Sequence, residues 1–264
     1  MTIATLLLGN FAILAGIFML LWLLSLALHD PSFVDSWWAF GMIVLAGLSF
    51  LQTGPPSPRK YFLLSLCALW GLRLGFYLLW RWRSHGIDAR YEKMMKTAKD
   101  ERGWGFAKAA GLMVFALQMP LQFIVALPVQ LGQVSPVPAA IGIAGWAGVI
   151  LALIGISFES VGDLQLLRFR ANLENKGKVL DSGLWRYTRH PNYFGEACVW
   201  WGLYLMAAET TIGAWAIPGP ILITFLLTRV SGVPTVEGGM RKNRKEYENY
   251  IRRTSGFIPW FPKN

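Results

Sequence analysis

One feature, a long apolar run near the start of the chain, sharply limits the folds available to this sequence. Residues 3–28 form a continuous apolar stretch, and about 20 mostly apolar residues are enough for a helix to cross a bilayer. Further apolar runs occupy residues 36–52, 61–80, 107–130, 138–162, 193–208 and 212–230. The sequence therefore predicts an all-α, polytopic membrane protein with about seven transmembrane helices.

The composition excludes an ordinary soluble enzyme, a coiled coil and a disordered chain. Hydrophobic residues make up 54% of the 264 residues and charged residues only 15%, whereas soluble domains carry about 25% charged residues. We expect a single integral membrane domain over residues 1–264. Helices one to four, within residues 1–135, form its predicted substrate side, and helices five to seven, within residues 138–264, its predicted cofactor side.

The net charge of +10 has two possible explanations, binding of nucleic acid or a membrane topology with its cations on one side. Of the 25 Lys and Arg residues, 22 lie in residues 81–108, 163–190 and 229–264. With seven alternating spans these segments share one side, and the opposite loops near 131–137 and 209–211 contain no Lys or Arg. The positive-inside rule then predicts an outside N-terminus, a cytoplasmic C-terminus and no nucleic-acid partner.

Two polar stretches outside the spans are expected to be helical. Residues 84–106 are polar with few helix breakers, and residues 241–252 form a basic stretch after Gly238-Gly239. Residues 163–190 are expected to be the longest polar connection between spans, and Arg168 and Arg170 are placed in that basic loop.

Charged residues inside the predicted spans are candidates for function, because an ionisable group in a membrane is costly and normally faces the bundle interior. Arg73, Tyr77 and Arg81 follow at four-residue steps and so share one helix face. They either line a cavity that receives phosphate, or Arg73 pairs with a carboxylate and Arg81 reaches the interface. Glu159 and Asp163, one turn apart, either accept hydrogen bonds from amide or sugar hydroxyl groups or act as partners of Arg73.

The densest polar cluster spans residues 185–196. Pro191 suits the first turn of helix six, where free N–H groups favour an anion, and Asn192 and Glu196 would share a face there. This pattern favours a pocket for a phosphate-bearing heterocycle, although a charged membrane boundary with an aromatic belt also explains it. Asp35, just before helix two, is either the N-cap of that helix or a functional acid.

Several well-known motifs for nucleotide binding, thiol redox chemistry and metal binding are absent from the sequence. There is no GxGxxG segment after a strand, no phosphate-binding Walker loop, no CxxC and no HExxH. The three histidines are scattered and the two cysteines, Cys67 and Cys198, lie in apolar runs. We therefore expect neither a metal site nor a disulfide framework.

Several motifs together resemble the steroid 5-alpha-reductase family, most closely its bacterial membrane branch. They are Phe158-Glu159-x-x-x-Asp163-x-Gln165, the run from Asp181 to Glu196, the tail from Tyr247 to Pro259, and Leu69 to Leu74 at the start of helix three. The shorter Arg-His-Pro-x-Tyr piece also occurs in sterol reductases and isoprenylcysteine carboxyl methyltransferases. The longer string with Asp163, Gln165 and Glu196 favours the reductases.

The resemblance implies NADPH as cofactor, bound from the cytoplasmic side. The residues it assigns to cofactor binding by motif or by position are Arg73, Arg81, Arg83, Glu159, Asp163, Arg170, Trp185, Arg189, His190, Asn192, Tyr193 and Glu196. The family also uses a carboxylate from helix two and a tyrosine from helix three to hydrogen-bond an enone carbonyl. The corresponding candidates are Asp35 and Tyr77, although the nearest alignment places Trp70 at the tyrosine position.

The resemblance implies reduction of the carbon-carbon double bond of a 3-oxo-4-ene steroid or a similar apolar enone. The substrate would come from the bilayer, with membrane lipid as neighbour and no obligate protein partner. A bacterial origin would place the protein in the inner membrane. The alternative is an S-adenosylmethionine-dependent methyltransferase acting on a lipid or isoprenyl thiol. Arginines for several phosphates favour NADPH over that cofactor.

Overall fold

The computed structural model describes residues 2–230, 232–243 and 246–263, and these residues fold into helices joined by short connections. Arg244 and Lys245, two cations of the third basic segment, lie outside the described residues. The helices are α1 (Ile3–Leu28), α2 (Val34–Gln52), α3 (Pro58–His85), α4 (Ala89–Arg102), α5 (Phe106–Ala110), α6 (Ala116–Val125), α7 (Leu127–Leu131), α8 (Ile143–Ala171), α9 (Pro191–Ala207), α10 (Thr211–Ala214), α11 (Pro218–Phe225), α12 (Val233–Asn243) and α13 (Tyr247–Arg253).

Among the described residues, two π-helical segments lie between α-helices, and two 3-10 turns lie in the connection between α8 and α9. The π segments are Gly111–Phe115 and Leu226–Val230, and the 3-10 turns are Leu173–Asn175 and Gly183–Arg186. The described residues contain one isolated bridge, between Thr188 and Ser255, and no strand. The predicted all-α class is confirmed.

Six helical stretches within the described part of the chain are long and apolar enough to cross a membrane. They are Ile3–Leu28, Val34–Gln52, Pro58–His85, Phe106–Val125, Ile143–Ala171 and Thr211–Arg241. The protein is therefore a multi-pass integral membrane protein. The sixth predicted span, 193–208, is not among these six stretches; it corresponds to α9, of whose 17 residues ten are buried.

Close helix packing places α9 alongside α8. A Cβ atom added at Gly155 would lie 2.5 Å from the carbonyl oxygen of Gly195, and one added at Gly148 would lie 2.5 Å from that of Gly202. At one end of this seam Gly162 faces Pro191. Residue numbers rise along α8 while those of the facing residues on α9 fall. The two helices are therefore antiparallel, and they run together over the length of α9.

The fifth predicted span ends too early. We placed Arg168 and Arg170 in a basic loop, but α8 extends to Ala171 and carries both of them in its last turns. The physical reason is local: the segment from Leu164 to Ala171 contains no Gly or Pro, so nothing stops the helix.

The structure confirms the helix expected within residues 84–106, which is α4, and revises the tail. Residues 241–252 were expected to form one basic helix, whereas α12 begins earlier, at Val233, and α13 is separate. Gly238 and Gly239, which were taken to precede the helix, lie inside α12. A helix tolerates glycine at a cost of about 1 kcal/mol relative to alanine.

Contacts across the bundle bring the basic segments to one end. Trp82 Nε1 on α3 donates to Asp30 after α1 (2.7 Å), Arg90 on α4 bonds to Asp35 on α2 (2.6 Å), and Arg189 before α9 bonds to Glu237 on α12 (2.8 Å). We call this the basic end. It is also where α3 of the first half of the chain meets α8 and α9 of the second half.

The opposite end of the bundle holds two cations, Arg59 and Lys60, and both are buried. Arg59 Nη2 lies 3.6 Å from Glu209 Oε2, and it donates to the carbonyl of Pro138 (2.7 Å). Lys60 Nζ donates to three carbonyls at the C-terminus of α2, those of Phe50, Thr53 and Gly54. These cations are therefore partnered inside the protein rather than presented on its surface.

Candidate functional site

A buried ion-pair cluster lies at the centre of the predicted site. Arg73 on α3 pairs with two carboxylates of α8: its Nη1 donates to Asp163 Oδ2 (2.6 Å), and its Nη2 contacts Glu159 Oε1. Trp70, one turn earlier on α3, donates from Nε1 to the other oxygen of Glu159 (2.8 Å). Both carboxylates were predicted to be either ligands of a cofactor or partners of Arg73, and the structure shows the second arrangement.

Helix α9 adds an amide and a carboxylate to this cluster. Asn192 Nδ2 donates to Asp163 Oδ1 (3.2 Å). Glu196, one turn further along α9, is half-buried and interacts electrostatically with Arg73 and Asp163. Within the described residues its carboxylate has no hydrogen-bond or ion-pair partner. The predicted shared face of Asn192 and Glu196 therefore lies against the Arg73 cluster.

Helix α3 presents Tyr77 and Arg81 beyond Arg73. Tyr77 is half-buried and lies within electrostatic reach of Asp163 and Arg170. Its hydroxyl makes no hydrogen bond to any described residue. Arg81 has one distant acidic partner, Asp88, at 3.9 Å. On the predicted face of α3, Arg73 is thus neutralised by carboxylates, whereas Tyr77 and Arg81 have fewer partners.

Two further arginines of the prediction, Arg83 and Arg170, lie at the surface of the basic end. Arg83 is in the last turn of α3 and Arg170 in the last turn of α8. Arg170 acts electrostatically on Tyr77, which places the ends of α3 and α8 side by side.

Asp35 lies in the first turn of α2, and its two oxygens have different partners. Oδ1 accepts a hydrogen bond from the Tyr91 hydroxyl (2.6 Å), and Oδ2 pairs with Arg90 Nη2 (2.6 Å). The alternative that Asp35 caps helix two is wrong, because α2 begins at Val34 and the N-cap, Phe33, makes no side-chain hydrogen bond. The structure joins Asp35 to α4 and does not link it to Tyr77.

Tyr91 and its neighbours were missed in the sequence. Gln118 Nε2 donates to the Tyr91 oxygen (3.1 Å), and Trp38 Nε1 donates to Gln118 Oε1 (2.6 Å). Burial raises the pKa of Tyr91 well above 10.0, and the charge of Asp35 adds to that rise. A usable signal was the helical spacing of Tyr91, Met94, Met95 and Ala98, which marks an apolar face on the otherwise polar α4.

Trp185, Arg189 and His190 lie in a separate structural cluster that we call the tail clamp. Arg189 Nε donates to Glu237 Oε1 (2.8 Å), and His190 Nε2 lies 3.1 Å from the same oxygen. Trp185 Nε1 donates to the carbonyl of Gly162 (3.1 Å). These predicted cofactor ligands thus hold α12 and α8 against the start of α9. Glu237, which sequence analysis passed over, is the acid that both Arg189 and His190 contact.

Tyr193 connects the two clusters. Its ring stacks on that of His190 at a centroid distance of 5.4 Å with an interplanar angle of 5°, and it feels the charges of Glu196 and Asp163. The predicted site residues therefore form two adjoining groups around the start of α9, the Arg73 cluster and the tail clamp. Asp35 joins them indirectly, because its ion-pair partner Arg90 also acts electrostatically on Tyr193.

Comparison with known proteins gives one match. No curated protein and no solved structure matches the chain. A family model described as a protein of unknown function, DUF1295, matches residues 21–254, which includes α2 to α13, the Arg73 cluster and the tail clamp. The chain therefore belongs to DUF1295, a family of steroid 5-alpha-reductase-like membrane proteins.

Proposed function

We propose that this protein is an NADPH-dependent membrane reductase that saturates the carbon-carbon double bond of a 3-oxo-4-ene steroid or a similar apolar enone. One observation supports this most: the Tyr77 hydroxyl and the Glu196 carboxylate border the buried Arg73 cluster without hydrogen-bond partners among the described residues. Polar groups normally gain a hydrogen-bond partner when they become buried. A donor and an acceptor that border the same ion-pair cluster without such partners suit a polar ligand.

The residues present fit a phosphorylated dinucleotide. Three phosphate groups need cations at the surface of the bundle, and Arg81, Arg83 and Arg170 lie near the C-terminal ends of α3 and α8. Arg73 and Arg189 already bind carboxylates, so we assign them to holding the site in shape. Glu196 and Asn192 offer an acceptor and an amide to the carboxamide of a nicotinamide. When bound, the dinucleotide supplies the hydride.

Tyr77 is the group we assign to the substrate carbonyl. Its hydroxyl is free to donate a hydrogen bond, and negative charge grows on the carbonyl oxygen as the hydride reaches the β-carbon. Solvent then protonates the α-carbon. Asp35 is a poorer donor, because both of its oxygens already accept hydrogen bonds from Tyr91 and Arg90. We therefore assign Asp35 to anchoring α4.

An apolar substrate can approach Tyr77 from the bilayer side of α3. Leu69, Leu72 and Phe76 are exposed on this helix, and in a membrane such side chains face lipid. The apolar flank and the charged cluster thus belong to the same helix, as the reaction of a lipid-soluble ketone with a charged cofactor requires.

Ligand-induced stabilisation tests the cofactor. We expect NADPH to raise the melting temperature of the detergent-solubilised protein and S-adenosylmethionine to leave it unchanged, since a ligand that binds only the folded state stabilises it. Glu196→Gln keeps the shape of the side chain and should weaken NADPH binding. Stabilisation by S-adenosylmethionine alone would favour the methyltransferase and overturn the proposal.

Turnover tests the catalytic donor. Oxidation of NADPH in the presence of a 3-oxo-4-ene steroid should fall by about 10²- to 10³-fold in Tyr77→Phe, the usual effect of removing one such donor. The dissociation constant for NADPH should stay unchanged. Tyr61→Phe is the matched control, because Tyr61 lies exposed at the other end of α3. Equal rates for Tyr77→Phe and the unaltered protein would remove Tyr77 from the mechanism.

A further inference from the structure

The end of the chain forms an extended segment, residues 254–263, that we call the C-terminal strap. It lies across residues 185–190, directly before α9. Four hydrogen bonds hold it there: Arg189 N to Ser255 O (2.9 Å), Trp260 N to Tyr187 O (2.9 Å), Thr188 Oγ1 to Phe257 O (2.8 Å) and Arg189 Nη1 to Thr254 O (2.7 Å). The strap is therefore a fixed part of the basic end.

The strap has an inner and an outer face. Phe257 points inward and packs against Phe194 of α9 with ring centroids 6.0 Å apart. Ile258, Trp260 and Phe261 are 65%, 69% and 77% exposed. The Phe261 ring meets that of Tyr187 at 6.3 Å. Together these residues form an apolar patch that no described residue covers.

The depth of the strap follows from helix geometry. Pro191, which starts α9, faces Gly162 of α8, and Gly162 lies 19 residues beyond Ile143, the first residue of α8. At 1.5 Å per residue this is about 29 Å, close to the thickness of about 30 Å of the hydrocarbon core. Residues 185–190 and the strap bound to them therefore lie at the level of the headgroups.

Cations border the apolar patch. Arg186, Arg252, Arg253 and Lys263 are all exposed. One of them, Arg253, pairs with an acid, Asp181, and the side chain of Arg252 contacts Asn249. Aromatic side chains flanked by cations suit the membrane interface, and clustered cations next to a membrane attract anionic lipids.

We propose that the C-terminal strap is an interfacial anchor that binds the headgroups of anionic phospholipids in the host membrane. Trp260 and Phe261 would enter the boundary between headgroups and acyl chains. Arg186, Arg252 and Lys263 would bind lipid phosphates. Because the strap is bonded to residues 185–190, lipid binding would also hold the segment that leads into α9.

A fluorescent label on the strap tests the contact with lipid. Trp260→Cys accepts a thiol-reactive, environment-sensitive dye, while Cys67 and Cys198 are buried. In nanodiscs with brominated acyl chains we expect stronger quenching when phosphatidylglycerol replaces part of the phosphatidylcholine. Trp215→Cys is the matched control, because Trp215 is 77% exposed at the opposite end. Its quenching should not depend on lipid charge.

Substitution of cations tests whether lipid binding depends on the cations next to the strap or on the overall positive charge of the basic end. Arg186→Gln, Arg252→Gln and Lys263→Gln, combined and singly, should lower the affinity for phosphatidylglycerol by about fivefold per cation. Lys93→Gln, Lys96→Gln and Lys99→Gln on α4 remove the same charge from exposed positions and should leave the strap signal unchanged.

Three results would overturn the proposal. The first is equal quenching at Trp260→Cys in neutral and anionic nanodiscs. The second is an equal loss of the signal in the α4 triple variant. The third is a dye at Trp260→Cys that is shielded from solvent in detergent while the protein has the mass of a dimer. That result would assign the patch to contact with a second copy of the chain. None of these readouts depends on NADPH or on turnover, so they are separate from the test of the reductase.

Discussion

Arg73 shows how a single residue organises the interior of this bundle. It lies 15 residues beyond Pro58 in α3 and packs inside the bundle next to Asp163, the residue after Gly162 of α8. An isolated charge packed among membrane helices is costly. Two carboxylates from α8, Glu159 and Asp163, neutralise it and thereby join the two halves of the chain.

Removing this guanidinium should destabilise the fold. In Arg73→Met the carboxylates of Glu159 and Asp163 lose their cation while they remain buried, which typically costs about 3–5 kcal/mol. We expect a lower melting temperature in detergent, measured by tryptophan fluorescence. Arg83→Met is the control, because Arg83 is exposed and should change the stability little. Equal melting temperatures for the two variants would contradict a structural ion pair at Arg73.

Gly155 is the second residue with a large expected effect. Its Cα lies so near α9 that an added Cβ would be 2.5 Å from the Gly195 carbonyl oxygen and 2.7 Å from the Val199 nitrogen. Backbone atoms cannot give way as a flexible side chain can, so the helices must move apart. Such small residues at helix interfaces permit close approach in membrane proteins.

Gly155→Ala should therefore lower the stability by about 1–3 kcal/mol, the usual cost of overpacking. Gly16→Ala in α1 is the matched control, since no atom lies within 4 Å of the added Cβ there. It should be neutral or slightly stabilising, because alanine favours the helix by about 1 kcal/mol. Detergent melting curves of both variants decide the matter. An unchanged curve for Gly155→Ala would show that α8 and α9 are not in close contact.

At the scale of elements, α4 is attached to the bundle by titratable groups as well as by its apolar face. Arg90 bonds to Asp35 and Asp88, and the Tyr91 hydroxyl donates to Asp35. Burial alone would raise the pKa of Asp88, but hydrogen bonds from the Arg90 side chain and amide outweigh it and hold the pKa below 3.8. Burial first and the charge of Asp35 second raise the pKa of Tyr91 above 10.0.

This arrangement predicts that α4 stays attached across the neutral range and loosens at both extremes. The contribution of Asp88 to the attachment of α4 is present above pH 3.8. It is lost as the pH falls through the lowered pKa that Asp88 has in the folded protein. The contribution of Tyr91 is present below pH 10.0 and is lost as the pH rises through its raised folded pKa. Limited proteolysis of α4 as a function of pH measures both transitions.

Two variants assign these transitions to their residues. Asp88→Asn should weaken the rise in proteolysis of α4 at acid pH, and Tyr91→Phe should weaken the rise at alkaline pH. Asp100→Asn is a matched control for the first, because Asp100 is exposed near the end of the same helix. An acid transition that is the same in Asp88→Asn and in the unaltered protein would be evidence against this assignment.

At the scale of the whole molecule, the number of crossings decides the topology. Six helical stretches of the described chain have the length and apolar character to cross a membrane, while α9 has 17 residues. Yet α9 runs antiparallel along α8 from Gly162 to Gly148, opposite Pro191 to Gly202. Since α8 and α9 cover the same depth, we expect α9 to be a seventh, internal crossing.

With seven crossings, residue 2 and residue 263 would lie on opposite sides, and the positive-inside rule predicts that residue 263 is in the cytoplasm. Reporter fusions at either end, one active only in the cytoplasm and one only outside it, measure this directly. A cysteine at Trp215, reached by an impermeant thiol reagent from outside, provides an internal control. Both ends on the same side would mean that α9 does not cross.

Several features followed from the sequence by itself. Apolar length, clustered cations and the motif string were sufficient for an all-α membrane protein, for α4 as a helix, and for a family resemblance. Hydrophobicity and helical spacing act within one segment, so they can be evaluated without its partners. For the same reason the shared face of Arg73, Tyr77 and Arg81 could be predicted from their four-residue spacing.

The choice of partner was decided only by the tertiary structure. Arg73 meets Asp163 across 90 residues, Tyr91 meets Asp35 across 56, and Arg189 meets Glu237 across 48. Spacing within a helix predicts which side chains share a face, but not which helix that face meets. Because burial makes an unpaired charge costly, the packing of α3, α8 and α9 determines which polar groups pair with one another and which, as at Tyr77 and Glu196, have no hydrogen-bond partner among the described residues.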